Sequence, residues 1–296
     1  MHRSCVSRAS ELSCLKWSET NWCEEDQVMN GLTFQPKTNK KCTLSHARDK
    51  TTWTLDPLVM LAIMLIVDPD SKSPSSEDSF MFPTIRKGKG KKSATTMITE
   101  LLKSSGKKDS TSHDVRYGAL HDIQKNVDIE FIKAVFRGVW TFKGDSCSIR
   151  YADKYPGQLE AGKALGGFHN TKEIIPSLDI MMHLDDLLGA DATDETTQRF
   201  KNFATNLMIR LPFSKEGEQC FSLRNVLLAA IIEMLPKILN DLKEARKSAV
   251  ADHDDDEIGL AGGVLEKVVR NELFSAHFDW NDLLVWSKKV RTQGLR

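Results

Sequence analysis

The turn His113-Asp114-Val115-Arg116 sets an imidazole and a guanidinium three residues apart, on one face of a helix. Trp140 follows in Arg137-Gly138-Val139-Trp140, and Tyr151 in Ser148-Ile149-Arg150-Tyr151. A guanidinium receives an anion, an imidazole takes a proton, an indole N–H donates, and a phenol can attack. That set suits attack on a phosphodiester without a metal. A phenol ordinarily titrates near pKa ~10, so positive charge or a base must activate it.

The elements that must hold these groups are legible in part. Lys107 to Ser112 is polar and supplies an N-cap ahead of His113. Thr95 to Ser104 has a helical pattern and ends at Gly106. Ile129 to Arg137 is apolar at helical spacing and stops at Gly138. Ser146 to Tyr155 reads as a short helix broken by Pro156-Gly157. Arg8 to Trp17 reads as a helix with Leu12 and Leu15 on one face. Val28 to Phe34 reads as a strand, Lys37 to Lys41 as a turn, and Cys42 to His46 as the returning strand.

Leu58 to Val67 is the most apolar run. It falls short of the roughly 20 residues that span a bilayer, so it reads as a buried helix. Pro57 would begin that helix and Asp56 would cap it. Beyond about Gly167 the pattern is helical over 174–188, 194–211, 222–247, 263–274 and 279–290, with Pro236 kinking the third segment. The expected fold class is mixed α/β, mainly α-helical, with a small antiparallel sheet near the start and a helical C-terminal region. There is no internal repeat.

The 296 residues suffice for one large or two ordinary domains. Forty per cent are hydrophobic and the net charge is zero, so overall charge does not argue for nucleic-acid binding. The charge is unevenly spread. Arg86 to Lys92, Lys103, Lys107 and Lys108 are basic, and Asp252 to Glu257 is acidic. A local basic face is what phosphate contacts would use. The 86–92 run reads as a solvated loop or a localisation signal. Six cysteines show no C-x-x-C pattern and read as reduced thiols. No signal peptide or membrane span is evident, so a nuclear or cytoplasmic location is expected.

Further motifs frame the four residues. Arg8 stands in Ser7-Arg8-Ala9-Ser10-Glu11-Leu12, on the helix that runs on through Leu15 and Trp17. Lys37-Thr38-Asn39-Lys40 occupies the hairpin turn, and Asp56-Pro57 precedes an apolar helix. Tyr151 comes eleven residues after Trp140 and is followed by Gly157, Gly162, Gly166 and Gly167. In this order, over about residues 4 to 165, the sequence resembles the catalytic domain of tyrosine recombinases of the phage-integrase type. It is most similar to the eukaryotic Crypton-type transposon recombinases.

The resemblance implies the tyrosine-recombinase catalytic-domain fold over 1–167, with 168–296 as a helical region of unassigned role. It implies a catalytic set of Arg8, Lys37, His113, Arg116, Trp140 and Tyr151. The Tyr151 phenolate would attack a scissile phosphate of double-stranded DNA, forming a 3′-phosphotyrosine and releasing a 5′-hydroxyl. Another 5′-hydroxyl would then reverse the step and rejoin the strand. No metal, cofactor or small-molecule substrate is called for, because the covalent link retains the bond energy. Arg8 and Arg116 would hold the non-bridging oxygens. Lys37 would protonate the leaving oxygen, and His113 would help take the tyrosine proton. Trp140 would donate its indole N–H to phosphate. Lys40 or Lys41 stays open in place of Lys37, and Tyr155 in place of Tyr151.

The family implies a tetramer on two DNA sites, with the helix at 279–290 as a docking element or a piece of the chain's own core. Its members carry an upstream helical domain that closes over the DNA. The seven residues before Arg8 hold none, so a catalytic domain without that clamp is expected. A non-catalytic descendant that binds DNA or protein is the alternative. An unrelated helical scaffold would leave Arg8 and Arg116 far apart, since like charges gather only where an anion is received.

Overall fold

The computed structural model describes Val6, residues 8–35, 40–49, 51–67, 80–82, 93–104, 106–125, 129–137 and 155–168, and helical positions between 223 and 244. The chain divides into two compact units, Met1–Pro57 with Ser71–Pro176, and Leu58–Asp70 with Ser177–Arg296. The described residues form a mixed α/β, mostly helical protein with one three-stranded antiparallel sheet.

The first unit opens with a single helical turn, α1 (Ala9–Leu12), then a 3-10 turn at Trp17–Glu19. The strands β1 (Thr20–Cys23), β2 (Val28–Gln35) and β3 (Lys40–His46) follow in spatial order β1-β2-β3. The helix expected over Arg8 to Trp17 is therefore much shorter. After Leu12 the chain tightens into i→i+3 bonds, and the Leu15 carbonyl accepts the Met81 N–H at 2.8 Å. A long-range partner takes the group that a longer helix would have used.

β1 was not expected. It joins β2 through a four-residue turn lacking glycine, in which Gln27 takes a left-handed φ of 53°. The turn is tied by a bond from Gln27 Nε2 to the Glu24 carbonyl at 2.7 Å. In β3, Lys41 and Thr43 are exposed, whereas Leu44 to Asp49 are all buried. Alternation thus gives way to burial on both faces as the strand enters the core.

Next in the chain comes α2 (Pro57–Val67), and four further helices complete the described part of the first unit. They are α3 (Ala94–Ser104), α4 (Ser112–Gln124), α5 (Phe131–Arg137) and α6 (Tyr155–Leu165). Gly106, at φ 82°, ends α3 as expected, with Gly106 and Lys107 N–H groups bonding back to the Lys103 and Leu102 carbonyls. Pro156-Gly157 lies in the first turn of α6, whereas the helix expected over Ser146 to Tyr155 lies, but for Tyr155, outside the described residues. Proline is tolerated in a first turn because the first N–H groups have no partner within the helix.

Helix α6 packs on β3, α5 and α4. Val6, Ala119, Ile123, Ala134, Ala161 and Leu165 form the core between them. Its small residues permit close approach. A Cβ on Gly166 would overlap the carbonyl oxygen of Arg48, and one on Gly162 would stand 2.7 Å from that of Ser45. Gly166→Ala is expected to destabilise by about 1–3 kcal/mol, the usual cost of overpacking. Urea midpoints check this, and an unchanged midpoint would mean that α6 does not end against Arg48.

In the second unit, α2 (Pro57–Val67) has the expected bounds. Leu58, Val59, Leu61, Ala62, Ile63 and Leu65 are all buried, as suits a helix apolar on every side. Among the described positions of 223–244, Val226 to Ile231 are buried without a break. The other helices expected beyond 167, and Pro236, lie outside the described residues. No helix among the described residues is long and apolar enough to cross a membrane.

Candidate functional site

Helix α4 begins at a reciprocal cap. The Asp114 carboxylate accepts the Thr111 N–H at 2.6 Å and the Thr111 hydroxyl at 2.8 Å. Those two bonds hold its pKa below the ordinary carboxylate value. The cap fixes the first turn, which carries His113 and leads to Arg116. His113 and Tyr117 are exposed one turn apart, and Tyr117 is 71% exposed. Lys103, Lys107 and Lys108 are also exposed along the path into this helix.

Arg116 is half-buried, and its Nε donates to the carbonyl of Val6 at 2.8 Å. Val6 is fully buried and holds φ at 49°. A β-branched residue in the left-handed region carries strain of about 1–3 kcal/mol. Its burial in the core and the Arg116 bond together keep it there. Its carbonyl is thereby fixed beside Arg116, two residues before Arg8.

Arg8 is the N-cap of α1, and Glu11 folds back onto it. Glu11 Oε2 accepts the Arg8 N–H at 2.9 Å, and Oε1 takes Arg8 Nη1 at 3.2 Å. The Glu11 side chain is only 2% exposed, against 37% for Arg8. The same carboxylate acts on Arg116. Burial holds the Arg116 pKa below its ordinary value, Glu11 opposes that shift, and Arg8 adds to it by repulsion. Arg116 remains a cation at neutral pH. Two guanidiniums and one buried carboxylate thus act on one another electrostatically.

Of the six residues expected at the site, Arg8, His113 and Arg116 are described, and they lie on two neighbouring segments. Lys37 falls in the 36–39 connection between β2 and β3, whose last pair is Gln35 with Lys40. Lys37, Trp140 and Tyr151 lie outside the described residues. Tyr155 begins α6. Glu11 was visible only as part of a motif. Its signal was an acid three residues past an N-cap, the position that bonds back to the cap N–H.

A second polar group lies deeper. Arg137 and His46 are both fully buried. Arg137 Nη1 donates to the Gln158 carbonyl at 3.4 Å, and Gln158 Nε2 donates to Cys42 Sγ at 3.0 Å. Cys14, Cys23 and Cys42 carry thiols rather than disulfides. Among the described residues, no group of three His, Cys, Asp or Glu side chains is placed to hold a metal ion. Comparisons with protein-family models, curated proteins and solved structures give no match to this chain.

Proposed function

We propose that this chain is a DNA strand-transferase of tyrosine-recombinase type, descended from a mobile element of the Crypton group. One observation carries the reading. Arg116 is bonded to the Val6 carbonyl, two residues before Arg8, so the two cations are held near each other although their mutual repulsion opposes it. Glu11 offsets part of that repulsion, and a phosphodiester with two non-bridging oxygens would offset the rest. The element order supports the same reading: a helix opened by Arg8, a sheet whose β2–β3 connection contains Lys37, then a helix opened by His113 and Arg116.

In this reading the two guanidiniums neutralise the charge that builds in the transition state. Exposed His113 stands one turn from Arg116 and takes the phenol proton. Lys103, Lys107 and Lys108 add non-specific phosphate contacts that weaken with salt. A metal has no part in the step, because the phenolate attacks and the 5′-oxygen leaves with a proton from Lys37.

The test uses a DNA duplex nicked just beyond the scissile position. The short leaving fragment diffuses away and traps the phosphotyrosine. Wild type is run beside Tyr151→Phe and Tyr155→Phe on a denaturing gel. An adduct lost only with Tyr151→Phe is the expected result. Binding without an adduct would leave a non-catalytic descendant, and neither binding nor adduct would overturn the reading.

A further inference from the structure

We propose that Cys42 is a site of reversible oxidation by peroxide, its sulfenic acid held by the buried carboxamide of Gln158. The thiol stands near the start of β3 and is partly exposed, so a small oxidant reaches it. Gln158 lies in the first turn of α6 and is only 2% exposed. Its Nε2 donates to Cys42 Sγ at 3.0 Å. The Oε1 of that same amide is buried and accepts no hydrogen bond. A buried acceptor left without a donor is costly and rare, so it calls for a reason. Exchanging the two amide atoms would only pass the deficit to the nitrogen.

The sulfur's own bonds identify what is missing. The thiol has one proton and directs it to the Thr43 carbonyl at 3.6 Å, so Oε1 goes without. A sulfenic acid supplies the donor. Its oxygen accepts from Nε2 and its O–H donates to Oε1, so one carboxamide holds the whole S–O–H group. The step balances. The deprotonated sulfur attacks one oxygen of hydrogen peroxide, and the S–O bond forms as the O–O bond breaks. Hydroxide leaves and takes up the thiol's proton as water. Sulfur gives two electrons and the peroxide receives them. Donation from Nε2 favours the attacking anion, because hydrogen bonds to charge are the stronger ones. A sulfenic acid persists where no second thiol condenses with it. Cys23 pairs with Val28, whereas Cys42 pairs with Thr33, five residues further along β2. That separation is about 17 Å along a strand, against a limit of ~7 Å for a disulfide.

The test treats the full chain with hydrogen peroxide, quenches with catalase, and adds dimedone after increasing delays. Peptide mass spectrometry then reads each cysteine. Cys14 and Cys23 are also partly exposed thiols and serve as internal references. Cys42 is expected to gain the dimedone mass roughly tenfold faster than either, since thiolate character sets susceptibility. It should stay trappable long after the quench, and dithiothreitol should return it to the thiol. Gln158→Leu removes both polar amide atoms at similar volume. In that variant the Cys42 rate is expected to fall to that of the references, and oxidation should run on to the sulfinic acid.

A Cys42 that reacts no faster than Cys14 and Cys23 would overturn the proposal. So would a wild-type Cys42 that passes straight to the sulfinic acid. A folded Gln158→Leu with the wild-type rate and lifetime would overturn it as well, because the carboxamide would then hold nothing. If Gln158→Leu does not fold, Gln158→Met is unbranched, lacks both amide atoms, and decides in the same way. The trap reads sulfur chemistry alone, so its outcome does not depend on whether the chain cleaves DNA.

Discussion

Arg116→Lys is expected to slow single-turnover strand cleavage by roughly two to three orders of magnitude, the usual effect of removing one preorganised donor to a developing charge. Its effect on folding should be far smaller. The bond from Nε to the Val6 carbonyl contributes about 0.5–1.5 kcal/mol. A guanidinium can give one N–H to that carbonyl and still present a planar edge to phosphate. An ammonium offers a point charge and cannot do both. The position also cannot relax freely, because Val6 is strained and buried, and Glu11 is fixed on Arg8. Cleavage of the nicked duplex, measured beside urea unfolding, separates the two effects. A variant that unfolds slightly earlier but cleaves at the wild-type rate would reduce Arg116 to a support for Val6. Glu11→Gln offers a second check. It keeps the shape but removes the negative charge, so the two cations should repel more strongly and bind phosphate-containing ligands less selectively.

What the sequence made legible follows from the range of the forces involved. His113 and Arg116 share a helix face because of spacing alone, and the Thr111 cap needs only its own neighbours. The two long strands and α2 are likewise local patterns of apolar residues. β1 was missed because Thr-Asn-Trp-Cys has little pattern and exists by pairing with β2. The early end of α1 depends on Met81, far along the chain. Asp56, expected only as a cap, is fully buried with Oδ2 3.9 Å from Nε of Arg48. Pro156-Gly157 reads equally well as the end of one helix or the start of another, and packing of α6 on β3 decides for the start. Glu11 and Arg137 share the same lesson. Each is a charged residue whose local context suggests solvent, and only tertiary contact reveals its burial. Lys37, Trp140 and Tyr151 rest on the motif order alone.

Buried His46 also sets how the fold responds to acid. Burial holds the His46 pKa well below its usual value, and the Arg137 guanidinium lowers it further. The unfolded chain has no such restraint, and its histidine titrates near ~6.5. Between that value and the depressed folded one, the unfolded state binds a proton that the native state refuses. Stability should therefore be constant from this group above about pH 6.5. It should fall below that pH by about 1.4 kcal/mol per unit, the slope for one proton. The loss levels off only once the folded state itself takes up the proton. Urea unfolding from pH 8 to pH 5, for wild type and His46→Gln, isolates the effect. Glutamine is a neutral, non-titrating replacement, so the variant is less stable at pH 8, where packing is lost without compensation. Its deficit should then shrink as the pH falls and the wild type alone forfeits stability. A deficit that stays constant across the range would mean that His46 protonates as easily folded as unfolded, and that β3 opens to water beside Arg137.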